Sequence, residues 1–595
     1  MPLYSTKIRP LQCFSPSPSP LPSSKHATLI QTHRVAFTAP RYLCRSSSPA
    51  NESTVERRSA NYEPSVWKHD FVKNLKNDFT GDMYVRRANI LKQKTKSLFV
   101  LMQDEKGHLL PLLELIDDIQ RLGLGYIFEV EIQKAMGFIK QSNIEIEGSL
   151  HAAALYFRLS RQHGFDISQD IFKIFKDFEG NFAENLSQDM KGILSLYEAS
   201  YMGQEEEDIL DEAKAFTRKH LMNVPKNVDP SLADLVNRAL DLPLHLRTNR
   251  LEARWYIDNY SRNNILLELA KLDYNMVQGQ YQNDIIKLSR WWEELGLSKK
   301  LPFARDRLVE SFMWCVGLVP EPQYEYCREW LTKLIILITT IDDIYDIYAT
   351  LDEAKLYTES VERWDVNAIE HLPEPLKLIF FALYDTVKEI ANNNLQERGF
   401  DILPYLTEAW ADLCKSYLLE AKWFHTEYEP TLKEYLDNAC VSIAAPVVII
   451  HVCILMYPKV AKETLDYLRS YPDLVRSLAM IFRLVDDMVT SKAEQERGDV
   501  SKSIQCYMND KGVTEEVARE HIRQLICEGW KMMNSNMFTR TLLPQSFNNV
   551  VLNFARTVET TYQYGDGFSV VDHETKSRVL SLLVDPIPIK LVKNM

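Results

Sequence analysis

The sequence predicts an all-α protein built from two helical domains, and three observations carry that reading. Glycine is scarce, with 19 in 595 residues, roughly 3% against the usual ~7%. Apolar residues recur at helical spacing through nearly all of the chain after residue 57. The length exceeds what one hydrophobic core normally serves, so a division near residue 265 is expected.

Residues 1–56 stand apart from both domains. The first fifty hold no Asp or Glu, six Lys or Arg, nine Ser and eight Pro. A basic, Ser-rich, acid-free leader has the composition of an organelle transit peptide, and no continuous apolar stretch marks it as secretory. Setting its six positive charges aside takes the net charge from −13 to −19. So acidic a chain is not expected to neutralise the phosphates of a nucleic acid.

Residues 57–265 read as the N-terminal helical domain. Leu and Ile at helical spacing predict a helix over 109–122, and Ser149 opens another that Gly164 closes. Pro225, Pro230 and Pro243 punctuate the later part. Asp117-Asp118 is followed by Ile119-Gln120-Arg121, so no further carboxylate extends the pair. A solvated helix face is expected there.

Residues 266–595 read as a helical bundle, with helices over 325–348, 375–393, 407–428, 431–457, 471–490 and 514–533. The nine cysteines show no metal-type spacing and read as reduced core residues. The apolar run Ile443–Met456 contains Pro446 and His451 and is too short to span a bilayer.

Two acid clusters lie in this second block: Asp342-Asp343-Ile344-Tyr345-Asp346, and Asp486-Asp487 followed by Thr490 and Glu494. On a helix, Asp342 and Asp346 share one face, while Asp486, Thr490 and Glu494 form a stripe two turns long. Their flanks, Leu334–Ile341 and Ile481–Val485, are largely apolar, where carboxylates are costly unless a cation neutralises them. Hard oxygen donors in two facing stripes suit Mg²⁺, which keeps several waters and recruits phosphate oxygens. The ligand these residues call for is a metal-clamped diphosphate.

Other motifs accompany the clusters. Arg57-Arg58 is separated from Trp67 by eight residues, Arg250-Leu251-Glu252-Ala253-Arg254-Trp255 comes next, Arg305-Asp306-Arg307 precedes the first cluster, and Arg497-Gly498-Asp499-Val500 follows the second. Together they resemble the plant terpene synthase family, in its monoterpene-producing branch with the tandem-arginine signature. The likeness covers residues 57–595. It implies a C-terminal class I terpenoid-synthase bundle (266–595), an N-terminal helical barrel-like domain without a catalytic metal motif (57–265), and a plastid leader (1–56).

The resemblance also implies a reaction, the Mg²⁺-dependent ionisation of geranyl diphosphate to a C10 product. Asp342 and Asp346 would hold two Mg²⁺ ions and Asp486, Thr490 and Glu494 a third, with Mn²⁺ as an alternative metal. Arg305, Arg307, Arg483 and Lys502 are the implied diphosphate donors, Arg57 and Arg58 the lid. Trp314, Ile335, Tyr417 and Phe568 are the implied cavity wall, because aromatic faces attract cations without attacking them. Arg305, Trp314 and Arg483 carry the catalytic expectation. The expected partner is a small prenyl diphosphate, the expected location the plastid stroma, and the expected state a monomer or homodimer without a membrane span.

Two rivals stand beside this reading. A sesquiterpene synthase using farnesyl diphosphate is disfavoured by the leader and the tandem arginines. A non-catalytic Ca²⁺-binding helical scaffold would have no use for Arg305, Arg483 and Lys502 beside the acids. A cyclic product is favoured, with acyclic alcohols such as linalool or geraniol left open. Tyr564, Ala349 and Ala444-Ala445 depart from the family pattern (His, Gly and Ser-Gly respectively) and bear on pocket shape. Met488 departs from the aliphatic residue usual in the second motif.

Overall fold

Long amphipathic stretches fold as helices throughout the computed structural model, which describes residues 57–589 apart from 105–108, 142–147, 226–227, 399, 458 and 539–541. The expected leader lies outside the described residues. The N-terminal helices are α1 (His69–Lys73), α2 (Asp82–Asp104), α3 (Leu109–Arg121), α4 (Glu129–Gln141), α5 (Leu150–Gln162), α6 (Met190–Ser200), α7 (Asp208–Leu221), α8 (Pro230–Asp241) and α9 (Asn249–Asn259). There follow α10 (Asn264–Leu295), α11 (Leu297–Lys300), α12 (Leu308–Leu318), α13 (Glu325–Asp343), α14 (Leu351–Arg363), α15 (Glu374–Arg398), α16 (Leu403–Thr426) and α17 (Leu432–Ser442). The chain closes with α18 (Ala445–Met456), α19 (Lys462–Arg469), α20 (Asp473–Glu496), α21 (Ser503–Lys511), α22 (Glu515–Phe538), α23 (Gln545–Thr561) and α24 (His573–Leu583). Among the described residues the only extended pairing is one isolated bridge, Lys176 with Phe182.

Local chemistry sets the ends of these helices. The Ser149 hydroxyl accepts from Ala152 N at 3.3 Å and caps α5, while Gly296, at φ 66°, ends α10 in the left-handed region. Thr350 and Thr431 open α14 and α17 with capping boxes closed by Glu353 and Glu434. The expected helix over 431–457 is broken in two. Ala444 sits at φ 64° and Pro446 lies in the first turn of α18, where its missing N–H costs nothing. With α17 included, Leu432–Met456 is long and apolar enough to cross a membrane, yet 78% of its most apolar window is buried inside the protein. This is a bent pair of core helices.

The core runs from Trp67 through the helices on either side of residue 265 to Ile587, and a second, separate core lies under α5–α8. Asp117 and Asp118 correct an expectation. They are buried rather than solvated, because later helices of the same N-terminal block bring them partners: Arg158 donates to Asp117 at 2.7 Å, and the hydroxyls of Tyr256 and Tyr260 donate to Asp118 at 2.9 Å.

Helices α12 and α23 cross closely at Gly317 and Thr557. A Cβ added at Gly317 would stand 2.2 Å from Thr557 Oγ1, so the backbone of α12 approaches α23 only because residue 317 lacks a side chain. Gly317→Ala is expected to lower stability by about 1–3 kcal/mol through overpacking. Thr557→Ala in the same chain should restore most of that loss in thermal melts. An additive double variant would show that the crossing is not the cause.

Candidate active site

The first acid cluster ends α13. The α-helix stops at Asp343 and the chain widens into a π-helical turn over Ile344–Tyr348, closed by Ala349 N donating to Ile344 O at 2.8 Å. Asp343 is fully buried and receives the backbone N–H of Arg305 at 2.8 Å and its Nε at 2.9 Å. Arg305 Nη2 reaches on to Asp342 at 2.7 Å. Burial raises the Asp343 carboxyl, only partly opposed by Arg305. Asp346 opens onto solvent at the mouth of the site but is walled in by protein on its other sides. That enclosure first, and repulsion from Asp342 second, hold its carboxyl well above the ordinary range, with Lys502 opposing.

The second cluster lies on α20. Arg483 pairs with Asp486 one turn on and, through Nε, with Asp487 at 2.9 Å. Asp487 also accepts from Tyr435 at 2.9 Å and from Ser503 N at 3.0 Å, which ties α17 and α21 to α20. Thr490 Oγ1 bonds back to Asp486 O at 3.1 Å. Lys502 Nζ stands 3.8 Å from Glu494. Burial alone would raise the Glu494 carboxyl, but Lys502 and Arg483 outweigh it and leave the group below its ordinary value.

The tandem arginines span the two clusters. Arg58 donates to Asp346 O at 3.0 Å, to Arg497 O at 3.3 Å and to Asp499 at 2.7 Å, and lies over the Phe424 ring. One guanidinium thus joins the last residue of the first acid cluster to the chain after the second. Arg57 forms a fork with Glu353, both bonds at 2.9 Å, donates to Tyr348 O at 2.7 Å, and lies 3.9 Å over the Tyr348 ring. Farther along the same segment, Tyr62 covers the Arg305 guanidinium at 5.0 Å. Arg307 is placed differently from Arg305. It is 3% exposed and donates to Glu63 O and Ser569 O, so its guanidinium fastens the N-terminal segment and the 569 loop to the bundle rather than reaching toward the carboxylates.

Below the acids lies an aromatic cluster. Trp314 on α12 has Phe482 at 5.0 Å, Phe554 at 5.7 Å, Phe568 at 6.2 Å and Tyr562 at 6.4 Å between ring centroids. Tyr417 is buried 5.5 Å from Tyr345, close enough to Asp342 and Asp346 for their charges to act on its hydroxyl. Ile335 is buried in the same core. Phe482, Phe554, Tyr562, Tyr62 and Glu353 are members of this site that sequence reasoning missed. Phe482 carried a signal, standing four residues before Asp486, and the others carried none. Tyr564 lies away from the cluster, half exposed and bonded to Asp241 at 2.7 Å.

Comparison with known proteins decides the family. Residues 66–240 match the terpene synthase N-terminal domain and residues 293–532 the terpene synthase family metal-binding domain. The chain belongs to the terpene synthase family. This terpene synthase is 47% identical to (−)-alpha-terpineol synthase of Vitis vinifera, over 90% of its own length and 92% of the relative's. It is 45% identical to a chloroplastic myrcene synthase of Quercus ilex, over 95% and 96%. Its fold is similar to that of a limonene synthase solved with 2-fluorolinalyl diphosphate, with TM-score 0.85 and 38% identity over 90% and 100% of the two chains. It is similar too to isoprene synthase of Populus x canescens, solved with three Mg²⁺ ions and dimethylallyl-S-thiolodiphosphate, with TM-score 0.81 and 46% identity over 88% and 99%.

The donors of this terpene synthase fit a hard divalent cation. Among the described residues no three acidic, His or Cys side chains close into a cage around one point. The oxygens come instead in small groups on two helices, with Asp342 and Asp346 repelling each other. Such an open arrangement suits Mg²⁺ completed by water and phosphate.

One further acid lies beside this site. Glu310, one turn before Trp314 and 3% exposed, has no well-aligned hydrogen bond to either carboxyl oxygen. Burial, against the pull of Arg307, pushes it up to about 7. Because its proton is held more tightly in the folded chain, its contribution to stability is full below the ordinary carboxylate range and is lost as pH rises through about 7. Between pH 5 and 8, the wild-type chain should lose stability relative to Glu310→Gln by an amount on the order of 2 kcal/mol in denaturant melts. Parallel pH profiles would show that Glu310 is not the titrating group.

Proposed function

We propose that this terpene synthase is a plastidial monoterpene synthase that ionises geranyl diphosphate and converts the allylic cation to a C10 product with release of diphosphate. The observation that carries the reading is the pairing of two acid clusters, bridged by Arg58 and flanked by Arg305, Arg483 and Lys502, with an aromatic cluster beneath them.

Each part has a role in that reaction. Three Mg²⁺ ions, held by Asp342 and Asp346 and by Asp486, Thr490 and Glu494, would stabilise the negative charge that develops on the departing diphosphate. Arg305, Arg483 and Lys502 present fixed cations to the same oxygens, forked in the arginines and point-like in the lysine. Arg57 and Arg58 hold the N-terminal segment across the mouth and exclude water. The rings around Trp314, with Tyr417 nearer the acids, face the cation without offering it a nucleophile. Chemistry belongs to residues 266–595, and residues 57–265 supply the lid and support. The chloroplastic relative supports a plastid location.

The test is incubation of the protein with geranyl, dimethylallyl and farnesyl diphosphates, with and without Mg²⁺, followed by product chromatography. The expected result is a C10 hydrocarbon or alcohol from geranyl diphosphate, strictly dependent on the metal. Turnover only of the C5 or C15 substrate would overturn the substrate assignment. Asp342→Ala should lower turnover at least about a hundredfold while helix content stays unchanged.

A further inference from the structure

Trp67 ends the motif that opens with Arg57-Arg58, and the chemistry at the acid clusters gives it no part. Among the described residues it is the first that is buried. It is 7% exposed and enters the main core, whereas residues 57–66 lie half-buried or exposed. The stretch that reaches over the acid clusters, with Arg57, Arg58 and Tyr62, thus leads into the core through this one side chain.

Trp67 meets the core at Glu310. Its indole N–H comes close enough to draw the carboxyl down, yet lies off the line of a good hydrogen bond. Trp67 Nε1 and both Glu310 oxygens are left shut away from water and unsatisfied. Arg307, three residues before Glu310, donates through Nη2 to Glu63 O in the same N-terminal stretch and to Ser569 O, while its Nε has no acceptor. The other charges nearby are engaged elsewhere. Asp306 accepts from Trp292 Nε1 at 2.9 Å and stands 4.0 Å from His69. Around a cavity of about 70 Å³ that Glu310 also lines, Arg250 of α9 stands 3.5 Å from Asp273, and Arg578 of α24 donates to Thr560 O and Gln563.

A carboxyl in that setting is neutral when covered and charged when wet. Enclosure holds Glu310 at about 7, with Arg307 and Trp67 pulling it down and Asp306 pushing it up. One misaligned neutral donor does not offset the cost of burying a carboxylate. Withdrawal of Trp67 admits water and returns the group toward the ordinary carboxylate range. The covered form therefore binds the proton more tightly. By linkage its advantage is full below the ordinary range and is lost as pH rises through about 7.

We propose that Glu310 is a positioning residue that latches the N-terminal segment through Trp67. In its neutral form it keeps Trp67 seated, and with it Arg57 and Arg58 over the acid clusters; in its ionised form it lets the segment go. Glu310 lies on α12 one turn before Trp314, so the latch joins the segment over the mouth to the helix that carries the centre of the aromatic cluster. The inference rests on the reading of residues 57–67 as a lid.

The experiment is limited trypsin digestion of the full chain, with the new N-terminus at Ser59 followed by mass spectrometry. Each rate is divided by that of an unstructured arginyl peptide at the same pH. No substrate is needed, so an error in the assignment of geranyl diphosphate would leave the result untouched. Cleavage after Arg58 should rise about tenfold between pH 6 and 8. Cleavage after Lys433, an exposed residue of α17, should not rise. Glu310→Gln should hold the cut after Arg58 near its pH 6 rate throughout, and Glu310→Met should do the same if Glu310→Gln fails to fold. Trp67→Phe, which keeps a ring but loses the N–H, should raise the pH 6 rate several-fold. A flat profile in the wild-type chain, the same rise in the Glu310 variant (which would pass the effect to His69), an equal rise after Lys433, or an unchanged rate in Trp67→Phe would each overturn the proposal.

Discussion

Charge neutralisation among carboxylates that a bundle of apolar helices forces together is the constraint on which the rest depends. Asp342, Asp346, Asp486 and Glu494 come from separate stretches of chain, and none is stable as an isolated buried anion. The protein answers with Arg305 on the first cluster and Arg483 and Lys502 on the second, and it leaves Asp346 with repulsion outstanding. That imbalance leaves room for divalent cations and a diphosphate. A site with every acid fully paired would have no affinity left for them.

The N-terminal segment is part of the same balance. Arg58 reaches the backbone of the first cluster at Asp346 and the backbone after the second at Arg497, Arg57 is locked to Glu353 and Tyr348, and Arg307 holds Glu63 and Ser569 by their carbonyls. In the proposed reaction this segment would close the mouth and strengthen the electrostatic interactions beneath it, because water would no longer screen the charges. Glu353 illustrates how local structure serves this end, since the carboxylate that completes the capping box of α14 also anchors Arg57.

Legibility from sequence followed the range of each interaction. The all-α architecture and the acid stripes were readable because helical periodicity is local and carboxylates in apolar sequence are conspicuous. The π-helical turn after Asp343 and the break at Ala444 were not, since both depend on how neighbouring helices pack. Asp117 and Asp118 look solvated until Arg158, Tyr256 and Tyr260 arrive from far along the chain. Tyr62, Glu353 and Phe554 carry no motif, and only the fold shows that they belong to the site. Arg305 and Arg307, two residues apart, read alike but are spent differently: one on acids, the other on backbone carbonyls.

In the proposed reaction the acid clusters bind metal and diphosphate together, each completing the other. Calorimetric titration of Mg²⁺ into the protein, with and without a non-ionising C10 thiolodiphosphate, tests it most directly. Weak Mg²⁺ binding alone is expected, and binding at least tenfold tighter with the analogue present, with that gain lost in Asp342→Asn. Equally tight Mg²⁺ binding with or without the analogue, unchanged by Asp342→Asn, would contradict it.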